Sequence, residues 1–316
     1  MEQVNKLKIE DIEKAYRLNY DVLLETFLKI QSDFLTGIYK RYNKDLDSAN
    51  IVLLFARDMH HETLRGRETF LNLDISFENF WINHKKVNPK PFKIINISKN
   101  TGLPKETARR KINSLIANKT LNKQKQKIIW NPSESYKTSY NSIVEHEINE
   151  ISKLIFSLAS YIRCNITKSE IIDELKKNFS FYWFHYLNSQ LAYLKMWQTK
   201  LQDLELLLIY LQLTIQSYRH AKTYSQEKTD TTISATSISE ITGIPRATCI
   251  RKLEKLFKLK LVKKDLKNKR FYADHKNLNV NSVFNSKEIS EKTISIFTEF
   301  FLLSIQQICT KEGCWK

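Results

Sequence analysis

Apolar residues recur at intervals of three and four along four long stretches of this chain, about 9–42, 46–64, 168–200 and 202–222, which predicts amphipathic helices there. Two further stretches, about 143–163 and 287–308, show the same period and predict one closing helix each. Between these the pattern changes twice in the same way. A short helical turn ending at Thr101 or Thr242 runs into TGLP (101–104) or TGIP (242–245), and a second helical pattern follows over 104–117 or 245–258. Its inward positions are Ala108, Ile112 and Leu115 in the first case and Cys249, Leu253 and Leu256 in the second. Two short extended stretches around a basic turn come next, TLNKQKQKIIW (120–130) and KLVKKDLKNKRFY (260–272), the latter with Lys267-Asn268-Lys269 as its predicted hairpin tip. Polar connectors precede both segments, NHKKVNPKPF (83–92) and YSQEKTDTTISAT (224–236).

The chain has only five glycines and five prolines in 316 residues, too few for the many tight turns of a sandwich or barrel, so a mainly α fold is expected. Where these residues do occur together they set a corner. Ser98 is expected to cap a short helix of about one turn, Gly102 to supply the permissive backbone of a sharp turn, and Pro104 to open the next helix, where its missing N–H is harmless.

Sliding the chain against itself by 141 residues pairs eleven identical residues in 27 ungapped positions, from Ile97 with Ile238 to Lys123 with Lys264. The same offset pairs Glu147, Ile148, Glu150, Ile155 and Phe156 with Glu288, Ile289, Glu291, Ile296 and Phe297. This reads as internal duplication, with units of about 1–165 and 166–316. The first unit carries an extra stretch, LRGRETFLNLDISFENFW, without a counterpart.

Charge sharpens the picture because it is localised. Residues 105–127 hold eight Lys or Arg against one acid, and 246–270 hold eleven against two, whereas the rest of the chain has 32 basic and 31 acidic side chains. Nearly all of the net +17 thus sits in the two repeated segments, as expected of a chain that neutralises a polyanion at two places. The outward face of the first segment's second helix presents Lys105, Glu106, Thr107, Arg109, Arg110 and Asn113, and that of the copy Arg246, Ala247, Thr248, Ile250, Arg251 and Glu254. Thr107, Arg110 and Lys111 recur unchanged as Thr248, Arg251 and Lys252, so phosphate anchoring is expected to be shared and base readout to differ.

The segment with its IS..TG.P..T..RK..L pattern resembles the winged helix-turn-helix DNA-binding domain of bacterial regulators of the IclR and MarR type, over about 45 residues per copy. The resemblance implies double-stranded DNA as partner, with recognition through Lys105, Glu106, Thr107, Arg109, Arg110, Arg246, Thr248 and Arg251. It implies wing contacts through Lys123, Lys125, Lys127, Lys267, Lys269 and Arg270. It does not reach the flanking helices and implies no small-molecule effector. The organisation expected is an N-terminal helical scaffold (1–89), a first winged helix-turn-helix (90–135), a closing helix (136–165), a second scaffold (166–230), a second winged helix-turn-helix (231–276) and a C-terminal helix (277–316). The fold class is therefore mainly α, two duplicated units of long helices plus a winged helix-turn-helix with a small β wing.

The function expected is a transcriptional regulator whose two heads act as a pseudo-dimer within one chain on an asymmetric or imperfectly palindromic site, with further oligomerisation open. One alternative is a plasmid- or phage-type replication initiator binding origin repeats; another is a helical interaction protein whose basic patches meet an acidic protein or RNA. No glycine loop, paired carboxylates or nucleophile motif points to an enzyme, and no cofactor is implied. Asp58, His60, His61 and Glu62 fall near one another, but adjacent helical histidines point about 100° apart, and no metal site is expected. The stretch FSFYWFHY (179–186) is expected to be core or a subunit seam. Cys164, Cys249, Cys309 and Cys314 are expected to be free thiols, Cys249 as a small core residue. MEQVNKLKIEDIEK lacks a signal peptide's apolar stretch and no run is long enough to span a membrane, so a cytoplasmic, nucleoid-associated location is expected.

Overall fold

The computed structural model describes residues 7–69, 73–87, 91–125, 127–223, 232–273 and 286–309, and these form thirteen helices and four short strands. The predicted 9–42 helix is two, α1 (Ile9–Leu18) and α2 (Tyr20–Arg41). Asn19 divides them: its side-chain amide donates to the Ala15 carbonyl at 2.8 Å, a local bond that competes with the helical ladder. α3 (Leu46–Thr69) and the short α4 (Phe80–His84) follow, then α5 (Ile94–Thr101) and α6 (Lys105–Ala117), the hairpin strands β1 (Leu121–Gln124) and β2 (Lys127–Trp130), and the long α7 (Glu134–Tyr161). The predicted 168–200 helix is likewise broken, into α8 (Lys168–Lys177) and α9 (Phe179–Leu201). Asn178 sits at that break, with its amide on Glu174 Oε1 at 2.8 Å. α10 (Leu204–Thr223), α11 (Ala235–Thr242), α12 (Arg246–Lys258), the hairpin strands β3 (Lys263–Asp265) and β4 (Arg270–Tyr272), and α13 (Ser286–Cys309) complete the chain.

Two compact units emerge, and they interleave along the sequence. The first comprises Met1–Leu23, Asp47–Lys200 and Ile294–Lys316; the second comprises Leu24–Leu46 and Leu201–Thr293. Each holds one of the two repeated segments.

The first unit is organised around α9. Phe179, Tyr182, Trp183 and Tyr186 are buried, and Phe179 meets Phe77 and Phe80 edge-on, so the aromatic stretch forms core. His60 lies in the same cluster, stacked on Phe80 with Nε2 3.1 Å from the Tyr140 hydroxyl, and burial holds its pKa well below the usual histidine range. The buried Glu147 carboxylate accepts from the Tyr186 hydroxyl at 2.8 Å, which in turn accepts from Gln190 Nε2 at 2.7 Å. Cys164 and Cys309 are joined in a disulfide across 145 residues, correcting the expectation of free thiols; both are buried, and the link fixes the end of α13 beside the turn after α7. Cys249 is free and fully buried, the core residue expected, while Cys314 lies outside the described residues.

The second unit is built on α10, whose Leu206, Leu207, Leu208, Ile209 and Leu211 are all buried, so the helix is apolar on nearly every side. α10 packs against α11, α12 and β4, and Ser217 accepts a hydrogen bond from the Ala273 amide at 3.0 Å at the end of the hairpin. α2 lies on the same helix: Arg219 pairs with Glu25 at 2.9 Å, and Gln212 Nε2 donates to the Ser32 hydroxyl.

Candidate nucleic-acid interface

The two repeated segments adopt the same local geometry. Gly102 closes α5 in the left-handed conformation (φ 75°, ψ 4°) and Gly243 closes α11 in nearly the same one (φ 74°, ψ 6°), which only glycine adopts without penalty. Pro104 (φ −55°, ψ 141°) and Pro245 (φ −54°, ψ 136°) take the cap position, one residue before the first helical residue where the sequence pattern had put Pro104. The corner is braced by hydroxyls. Thr101 Oγ1 donates to the Ile97 carbonyl at 2.8 Å and accepts from the Leu103 amide; Thr242 does the same with Ile238 and Ile244.

Ser98 does not cap a one-turn helix as expected. α5 starts four residues earlier, at Ile94, and Ser98 Oγ donates across the corner to the Leu103 carbonyl at 2.7 Å. Ser239 makes the equivalent bond to Ile244 at 2.7 Å, and the cap of α11 is Ser234, which accepts from the Ser237 amide at 3.1 Å.

The second helix of each segment buries the predicted positions. Ala108, Ile112 and Leu115 are inside, as are Cys249, Leu253 and Leu256. Its far end again repeats: Lys119 and Lys260 both sit at φ 58°, and the next amides, Thr120 and Leu261, bond back to Leu115 and Leu256 at 2.9 and 3.1 Å. A left-handed position at a helix C-terminus normally favours glycine; both segments place a lysine there.

The hairpins differ by two residues. Lys123 stands opposite Ile128 and Lys264 opposite Phe271, so the offset grows from 141 to 143 across the turn. Beyond this point the repeat is no longer matched in packing: Glu147 is buried and Glu288 exposed, and Phe156 is exposed where Phe297 is buried. Each hairpin is extended by one bridge from the residue entering the segment, Phe92 to Ile128 and Ile233 to Phe271. Phe92 and Ile233 are themselves 141 apart, so the signal was present in the sequence although these residues were not singled out. The second turn is preorganised by Asp265, whose Oδ1 accepts from the Lys267 amide at 2.9 Å; that bond holds its carboxyl below the usual range.

All fourteen side chains singled out from sequence are accessible. Lys105, Glu106, Arg109, Arg110, Arg246 and Arg251 are exposed and Thr107 and Thr248 half-buried on the helices; Lys123, Lys125, Lys127, Lys267, Lys269 and Arg270 are exposed on the hairpins. Arg109 pairs with Glu106 at 2.6 Å, but both are more than half exposed, so the pair holds Arg109 only weakly. Arg246 Nε donates to Thr236 Oγ1 at 3.0 Å.

Lys252 departs from the exposed Arg251 beside it. It is 7% exposed, with Nζ 2.5 Å from Asp203 and 2.9 Å from Glu205, so it anchors α12 to the start of α10 and does not reach solvent. The expected phosphate role of this recurring lysine is thereby corrected for the second segment. In the first segment Asn50 of α3 donates to the Thr101 carbonyl at 3.2 Å, satisfying the end of α5. Sequence reasoning missed both braces, whose partners lie 49 and 51 residues away.

No helix of the described residues is long and apolar enough to cross a membrane, and no three His, Cys, Asp or Glu among them gather as for a metal ion. No protein-family model, curated protein or solved structure matches this chain. The arrangement is therefore interpreted from its own chemistry: two cationic helices, each on a braced corner, each beside a cationic hairpin.

Proposed function

We propose that the chain binds double-stranded DNA through two duplicated winged helix-turn-helix heads, residues 90–135 and 231–276, and acts as a transcriptional regulator. One observation carries the reading. In both segments the second helix buries its apolar side and turns Lys105, Arg109 and Arg110, or Arg246 and Arg251, to solvent beside a hairpin bearing Lys125 or Lys269. A helix about 10–12 Å across fits the major groove, and a basic hairpin beside it reaches the flanking phosphates. The recurrence of a lysine at φ 58°, where glycine would relieve strain, fits a demand for charge at that point. Two heads on one chain serve as a pseudo-dimer, and the exchange of Glu106 and Arg109 for Ala247 and Ile250 makes the preferred site asymmetric.

The test is a salt titration of binding to duplex DNA, single strands, RNA and polyglutamate. Duplex affinity is expected to exceed the others and to fall with a log–log slope of several units, since each phosphate neutralised contributes about −0.9. Equal or weaker binding to duplex than to single strands, RNA or polyglutamate overturns the proposal. Sequencing genomic fragments retained by the full chain then separates promoter-overlapping sites from origin repeats.

A further inference from the structure

The two candidate recognition helices carry different chemistry at one position. In α6 the outward position after Ala108 is Arg109, in an ion pair with Glu106. In α12 the matching residue is Ile250, 38% exposed, and the residue one turn earlier is the exposed Ala247 in place of Glu106. Isoleucine gains nothing for the helix at such a place: its branched side chain loses rotamer freedom against the preceding turn, and its exposed carbons are unfavourably hydrated.

The surroundings complete a small apolar patch framed by cations. Arg246 and Arg251 flank it and are exposed. The one carboxylate a turn further on, Glu254, is held by Lys264 of the hairpin at 2.5 Å, which draws its charge toward the hairpin. A patch of two apolar side chains between two guanidinium groups complements a major-groove edge that offers a methyl group between phosphate-lined walls, and among the four bases only thymine presents one.

We infer that Ala247 and Ile250 read thymine 5-methyl groups, so that the second head selects A·T pairs by apolar contact while the first head selects by hydrogen bonding through Arg109. This rests on the DNA-binding reading above. The experiment uses the full chain and duplexes selected by it from a random-sequence pool, resynthesised with each thymine in turn replaced by deoxyuridine, which removes the methyl group alone.

At one or two positions the wild-type chain is expected to bind the uracil duplex about three- to fivefold more weakly, the effect of one buried carbon. Ile250→Ala is expected to weaken or lose the discrimination at one of these positions, the one Ile250 covers, and Arg109→Ala to keep it. Because Ile250 is exposed, its variant folds, which unchanged thermal melting verifies. If the pool yields no duplex preferred over single strands, DNA binding itself fails. If selected duplexes bind and uracil has no effect, or every effect survives undiminished in Ile250→Ala, this inference is overturned and the DNA-binding proposal stands.

Discussion

Arg251 and Lys252 are adjacent, both cationic, and both recur at the same offset from the first segment, yet they should behave in opposite ways when neutralised. Arg251 is exposed on α12; Lys252 is enclosed, its side chain 9% exposed against carboxylates that are 27% and 25% exposed. Removing one partner of a fully buried ion pair costs about 3–5 kcal/mol, and with a quarter of each carboxylate in water roughly half of that is expected, ~2 kcal/mol. For a unit of this size ~2 kcal/mol lowers the melting temperature by about 5–10 °C. Lys252→Gln is therefore expected to melt earlier while its DNA affinity, measured on folded protein by fluorescence anisotropy between 50 and 200 mM salt, keeps the wild-type log–log slope. Arg251→Gln should melt as wild type and lose about 0.9 from that slope, one phosphate contact fewer. If Lys252→Gln loses slope while melting normally, Lys252 reaches phosphate and the structural role assigned to it is wrong.

Three further outcomes follow from features described above. Gly102→Ala and Gly243→Ala should each destabilise by about 1–2 kcal/mol through positive φ, with Asn at either position milder, as read by denaturant unfolding; equal stability of the Ala and Gly proteins would refute the left-handed corner. Cys309→Ser should lower stability by up to about 5 kcal/mol on the loop-entropy estimate for a 145-residue separation, and a non-reduced peptide digest should contain the Cys164–Cys309 pair. His84, pushed down to about 4 by burial and then by Lys137, stays neutral in the folded protein while the unfolded chain protonates near 6.5. Its contribution to stability is complete above about pH 6.5 and is lost as pH falls toward 4; buried His60 acts in the same sense, so melting should drop between pH 7 and 5 and less steeply in His84→Gln.

Much of the repeated segment was legible because its determinants are local. A scarce glycine and proline two apart announce a corner, and the spacing of Ala108, Ile112 and Leu115 defines the buried side of one helix. The breaks at Asn19 and Asn178 were not legible, since a one-residue interruption barely disturbs a period of 3.6. Arg251 and Lys252 are neighbours of like charge in sequence; what encloses Lys252 is Asp203 and Glu205, brought to it only by folding. The disulfide is the same kind of case, joining residues 145 apart. The repeat between the closing helices, read at the same offset of 141, was not matched in packing: Glu147 is buried and Glu288 exposed.

The second unit has a consequence for how the protein is made. Its α2 portion is synthesised near the start, but the helix whose Gln212 and Arg219 bond Ser32 and Glu25, α10, begins at Leu204. At about 5–20 residues per second the ribosome needs some 10–35 s to supply that partner. Through this interval Ile30, Phe34 and Leu35, all interior in the finished molecule, precede the rest of their compact unit, residues 201–293. A nascent chain arrested before residue 204 should thus be a strong client for a chaperone that grips apolar helices, and a fragment starting at residue 201 should not fold without the N-terminal piece supplied in trans.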